Sequence, residues 1–140
     1  MIRLVLEGEC RDQMASHAEE AFPDECCGAM LGRDRDDDVR EVTQILRIDN
    51  IKDENRKRRF LIDPRDLLQA EKAARTAGLD VVGIYHSHPN HPSRPSELDR
   101  EQAMPFWSYL IVSCMEGKAA SIQSWRLRDD RSQFDEETLG

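Results

Sequence analysis

His86 and His88 stand one residue apart, directly after the apolar run Val81-Val82-Gly83-Ile84-Tyr85, which reads as a buried strand. Residues i and i+2 of a strand project from one face, so both imidazoles aim at one point. Asp99 follows a loop carrying Pro89, Pro92 and Pro95, long enough to turn back and deliver a carboxylate. Two imidazoles and one carboxylate leave the fourth tetrahedral position of a zinc ion open to water, the layout of a catalytic rather than a structural site. Such an ion lowers the pKa of its water to about 7 and can polarise a substrate carbonyl.

Hydrolysis at that site also needs a general base and a donor for the oxyanion. Glu25 stands out among the acids because it follows Pro23 at a helix end and enters a Gly-containing apolar strand, a position that can face a pocket. Ser96, three residues before Asp99, carries a hydroxyl suited to the oxyanion. Ser96-Glu97-Leu98-Asp99 reads equally as a helix capping box, which sets cap and metal in competition for the Asp99 carboxylate. Each residue alone has a plainer reading. A lone His-x-His pair is often chance, Glu25 could be a helix-end carboxylate, His91 a surface loop residue and His17 part of a solvated helix face.

The elements that must position these groups follow from periodicity. Residues 2–6 alternate as a first strand. Met14, Ala18 and Phe22 recur every four positions, predicting an amphipathic helix over Glu9–Phe22 that Pro23 stops. Strands are expected over Cys26–Arg33 and Val39–Ile48, joined by a solvated acidic turn at Asp34–Asp38. Asp49–Arg59 is a charged loop, and Phe60-Leu61-Ile62 a short strand. Asp63 caps a helix with Pro64 in its first turn and an apolar face of Leu67, Leu68, Ala70, Ala74 and Ala77, closed by Gly78. The strand 80–88 carries the histidines, a short helix covers Ser96–Met104, and strands Tyr109–Cys114 and Ala119–Leu127 flank a turn at residues 116–118. This is one α/β domain over 1–128, with the charged tail 129–140 undetermined.

The net charge of −8, from 28 acidic and 20 basic residues, argues against a nucleic-acid surface, which needs a basic footprint. No stretch approaches the roughly 20 apolar residues of a membrane span, and no signal-peptide pattern opens the chain, so a cytoplasmic protein is expected. Cys10, Cys26, Cys27 and Cys114 show no CxxC pair and no disulfide spacing; reduced, buried thiols are the expectation, with contact between the metal and Cys26 or Cys27 left open.

His-x-His-Pro, six residues, then Ser-x-x-Asp resembles the JAMM/MPN+ metallopeptidase motif without substitution or gap. Upstream, Pro23-Asp24-Glu25-Cys26-Cys27-Gly28 is similar to that family's glutamate segment. Asn50 and Phe60-Leu61-Ile62-Asp63-Pro64 fall where members have an asparagine and a strand-to-helix junction. The resemblance implies His86, His88 and Asp99 as zinc ligands, Ser96 as the oxyanion-stabilising serine and Glu25 as the general base. It implies an α/β fold with a curved mixed β-sheet flanked by helices, like that of cytidine deaminases. It also implies hydrolysis of a peptide or isopeptide bond after the Gly-Gly end of a ubiquitin-like or sulfur-carrier protein. The compact prokaryotic branch fits the length best. A non-catalytic MPN scaffold and a zinc hydrolase of small amides are the alternatives, and the oligomeric state stays open.

Overall fold

The computed structural model describes residues 2–140. Its elements run β1 (Arg3–Leu6), α1 (Cys10–Ala21), β2 (Cys27–Asp36), β3 (Val39–Ile48), α2 (Pro64–Thr76), β4 (Asp80–Pro89), α3 (Glu97–Gln102), β5 (Ser108–Met115), β6 (Lys118–Leu127) and β7 (Phe134–Leu139). The strands close a mixed barrel in the order β1-β3-β2-β4-β5-β6-β7. β1 runs parallel to β3 and β7, and β4 parallel to β5; the remaining neighbours are antiparallel.

β4 sits centrally between β2 and β5 and is buried from Val82 to Pro89, which explains the apolar run Val81–Tyr85 and leaves His86, Ser87 and His88 as buried polar groups. Gly83 lets β5 close on it: a Cβ there would lie 2.0 Å from the Ser108 carbonyl oxygen. α1 packs Met14 and Ala18 among Leu4, Met30, Val42, Tyr85 and Leu110. Burying a methionine such as Met14 contributes about 1.5–3 kcal/mol. α2 lays Ala70 and Ala74 against Ala29, Leu31 and Ile48. Its start is capped as expected, the Asp63 carboxylate accepting from the Arg65 N–H, and Gly78 follows it with φ +74°.

Four expectations change. Phe60–Ile62 forms no strand, because its backbone finds only the Ile51 N–H and the Asn50 side chain rather than a partner strand. Leu68 and Ala77 face solvent, since the stripe α2 buries is Leu67, Ala70 and Ala74. His17 does not lie on a solvated face: its Nδ1 is 2.7 Å from the Tyr85 hydroxyl. The charged tail contains β7, which pairs with β6 and β1 and closes the barrel. All four cysteines are free and buried. Among the described residues no helix is long and apolar enough to cross a membrane.

Candidate metal centre

β4 ends in His86-Ser87-His88-Pro89, and its pleat sends both imidazoles to one side. The Nε2 atoms are 3.2 Å apart. Asp99, in the first turn of α3, brings Oδ2 to 3.2 Å from His88 Nε2 and Oδ1 to 3.4 Å from His86 Nε2. A tetrahedral ion with bonds of about 2.0–2.1 Å has donor-to-donor edges of about 3.3 Å, so the two Nε2 atoms and the Asp99 carboxylate, which meets each through a different oxygen, suit one face of its coordination shell.

The surroundings support that geometry. His88 Nδ1 donates to the Pro92 carbonyl at 2.8 Å, which leaves the Nε2 lone pair facing inward. His86 is 1 % exposed, Phe60 stacks on its ring with centroids 4.7 Å apart, and its Nδ1 is buried without a partner. A dry pair of facing nitrogens beside a carboxylate is a costly arrangement that a cation relieves. Burial alone would raise the Asp99 carboxyl. The charge of His86, hydrogen bonds from both imidazoles and the Ser96 N–H outweigh it and hold the group ionised, well below the usual carboxylate range.

The cap does not compete with the ligand role. Asp99 Oδ2 accepts from the Ser96 N–H at 2.8 Å while facing His88, and Ser96 Oγ accepts from the Asp99 N–H at 3.1 Å. One carboxylate thus serves both, and the hydroxyl hydrogen of Ser96 is not used in the box. Ser96, Glu25 and His88 line one cleft.

Glu25 reaches the centre through sheet register. Cys27 pairs with His86, and the Cys26 N–H donates to Ser87 Oγ while the Ser87 N–H donates to the Cys26 carbonyl. Continuing the antiparallel count sets Glu25 level with His88. Burial pushes its carboxyl up to about 7, opposed by the charges of His86 and His88 and reinforced by Asp99. A carboxyl poised there can take and return a proton near neutral pH. Cys26 and Cys27 stand outside the donor group. Burial pushes the Cys26 thiol to about 11 and Cys27 to about 12, and among the described residues the group able to hold a metal comprises His86, His88 and Asp99.

Several contributors lie beyond the motif. Asn50 ties the charged loop to Glu25: its Nδ2 donates to the Glu25 and Arg59 carbonyls, and its Oδ1 accepts from the Lys52 and Leu61 N–H groups. Phe60, Pro92 and Ser87 orient the ligand strand, and Arg58, His91 and Arg94 line the cleft. Next to His86 and Asp99 lies a second, apolar pocket of about 290 Å³, walled by Phe60, Leu67, Trp107 and Tyr109.

A model of prokaryotic homologs of the JAB domain matches residues 8–128. The chain belongs to the prokaryotic JAB family. A desampylase of Haloferax volcanii is 40% identical over 116 residues, 79% of this chain and 81% of that one. A probable TtuB-protein conjugate cleaving protease of Thermus thermophilus is 34% identical over 100 residues, 71% of this chain and 63% of that one. The fold is similar to that of a solution structure of a Desulfitobacterium hafniense protein, at 34% identity, TM-score 0.84, and coverage of 98% of this chain and 91% of the other. The JAB assignment is the JAMM/MPN resemblance that His86, His88, Ser96 and Asp99 suggest in sequence.

Proposed function

We propose that this JAB protein is a zinc-dependent hydrolase of the peptide or isopeptide bond that follows the Gly-Gly end of a ubiquitin-like or sulfur-carrier protein. The observation that carries the reading is the three-donor face at His86, His88 and Asp99, sharing its surroundings with Glu25 and Ser96. The relatives support the substrate class, one being named for cleaving TtuB-protein conjugates and another as a desampylase. The likeness to cytidine deaminases belongs to this reading as fold analogy only. The four free, buried thiols suit a reducing cytoplasm.

His86, His88 and Asp99 would hold the ion. Zinc bound there supplies a Lewis acid for the scissile carbonyl and an acidified water at neutral pH. Glu25 removes the water proton as attack begins and returns it to the departing amine. The Ser96 hydroxyl donates to the carbonyl oxygen as negative charge develops on it. Asn50 holds the Glu25 backbone and the adjoining loop in place for these transfers.

The test is a cleavage assay on zinc-loaded protein with a β-grasp carrier joined through Gly-Gly to a lysine ε-amine, read by mass spectrometry. Release of the carrier with an intact Gly-Gly terminus is expected. Hydrolysis of small amides with the carrier conjugate untouched would favour the small-amide alternative. No turnover of either would favour the scaffold.

A further inference from the structure

Seven of the sixteen arginines of this acidic chain pair with an acid: Arg35 with Glu41, Arg40 with Asp34, Arg47 with Glu20, Arg65 with Asp63, Arg100 with Glu97, Arg126 with Glu137 and Arg128 with Asp135. Arg58 and Arg94 are among the nine with no acid within 4.0 Å among the described residues, and they are the two of these that line the cleft holding Glu25 and Ser96. In a chain of net charge −8, two unmatched guanidinium groups in one cleft form a local site of opposite sign.

Their backbones are tied down. Arg58 lies between Arg56, whose carbonyl accepts from the Glu25 N–H at 2.6 Å, and Arg59, whose carbonyl accepts from Asn50. Arg94 lies between Pro95 and the buried Ser93. The Ser93 hydroxyl meets Ser121 and Gln123, and its carbonyl accepts from Trp125 Nε1.

We propose that Arg58 and Arg94 bind a carboxylate on the leaving-group side of the scissile bond. The assignment to that side rests on the hydrolase reading above. The carrier's own terminal carboxylate is consumed in the amide, so a carboxylate close to the bond belongs to the group that departs. Two sources share this chemistry: the free α-carboxylate of a single joined amino acid, and an acidic side chain beside a modified lysine. Arg58 and Arg94 are specificity residues here, and guanidinium forks match carboxylate geometry.

The experiment titrates zinc-loaded full-length protein with four probes, followed by NMR chemical shifts. Lysine is compared with lysinamide, and acetyl-Glu-Lys-Glu-amide with acetyl-Gln-Lys-Gln-amide. One carboxylate probe is expected to bind about tenfold more tightly than its neutral twin, with a gap that narrows as salt is raised. Preference for lysine identifies the free α-carboxylate; preference for the Glu-flanked peptide identifies the protein side chain. The double variant R58A/R94A, both positions being exposed, should keep its zinc and melting temperature and lose the preference. No preference in either pair would overturn the proposal, as would a preference that survives in the double variant, which would assign the carboxylate to the metal. Cleavage of the carrier conjugate by the same preparation reports on the hydrolase reading separately; its absence would overturn that reading while the binding comparison still decides the arginine pair.

Discussion

At the scale of single residues, Glu25 separates metal binding from turnover. Glu25→Gln keeps the three donors and removes the base, so zinc content should match wild type while kcat falls about 10²–10⁴-fold. Wild-type activity in that variant would remove Glu25 from the chemistry. The carboxyl sits at about 7 because burial disfavours its charge, so in the metal-free protein the neutral form is the favoured one. The stability this provides is present below the ordinary value of 4.5 and is lost as pH rises through about 7. Metal-free Glu25→Gln, neutral at every pH, should therefore exceed wild type in stability at pH 8 by on the order of 2–3 kcal/mol and match it near pH 4.5. Thermal melts at the two pH values check this. In the zinc-loaded protein the added cation pulls the carboxyl down, so the acid limb of kcat/KM falls below pH 7, with activity dropping about tenfold per unit beneath it. The proposed ligands His86 and His88 were legible in sequence because strand pleat and spacing alone align them. The unpartnered His86 Nδ1 and the Tyr85 partner of His17 were not, since both depend on neighbours brought from distant positions.

The elements matter through how they are clamped. Asn50 makes four hydrogen bonds that fasten the loop 51–61 to the Glu25 backbone, so Asn50→Ala should cost about 1–3 kcal/mol and leave zinc binding intact. Hydrogen exchange should show the amides of Lys52 and Leu61 losing protection, with kcat reduced; unchanged exchange would contradict the clamp. Gly83→Ala sets a methyl against the Ser108 carbonyl and should cost about 1–3 kcal/mol while loosening β4, visible as weaker zinc retention. Hydrophobic period sufficed to place α1, α2 and β4, though in α2 it also drew in Leu68 and Ala77, which face solvent. Phe60–Ile62 carries strand-like residues, yet its place in the fold is set by Asn50 and by stacking on His86. No periodicity reports that.

The whole molecule is a barrel whose last strand is disguised. β7 buries Glu137, 2 % exposed, at the position where a strand normally hides an apolar side chain, so its pattern reads as a solvated tail. The carboxylate accepts from the Ser108 and Ser124 hydroxyls and pairs with Arg126, joining β5, β6 and β7. Glu137→Ala leaves those groups unmatched and should cost about 3–5 kcal/mol, seen as a lowered urea midpoint with no change in the zinc ligands. A chain ended at residue 128 should fail to give a cooperative transition, because β1 and β6 would lose the strand between them. The most direct measurement for the account as a whole is zinc stoichiometry by elemental mass spectrometry on wild type and His88→Ala. Close to one zinc per wild-type chain, lost in the variant, is the expected result. A wild-type protein that holds no zinc after reconstitution and dialysis would contradict the metal centre and, with it, the hydrolase.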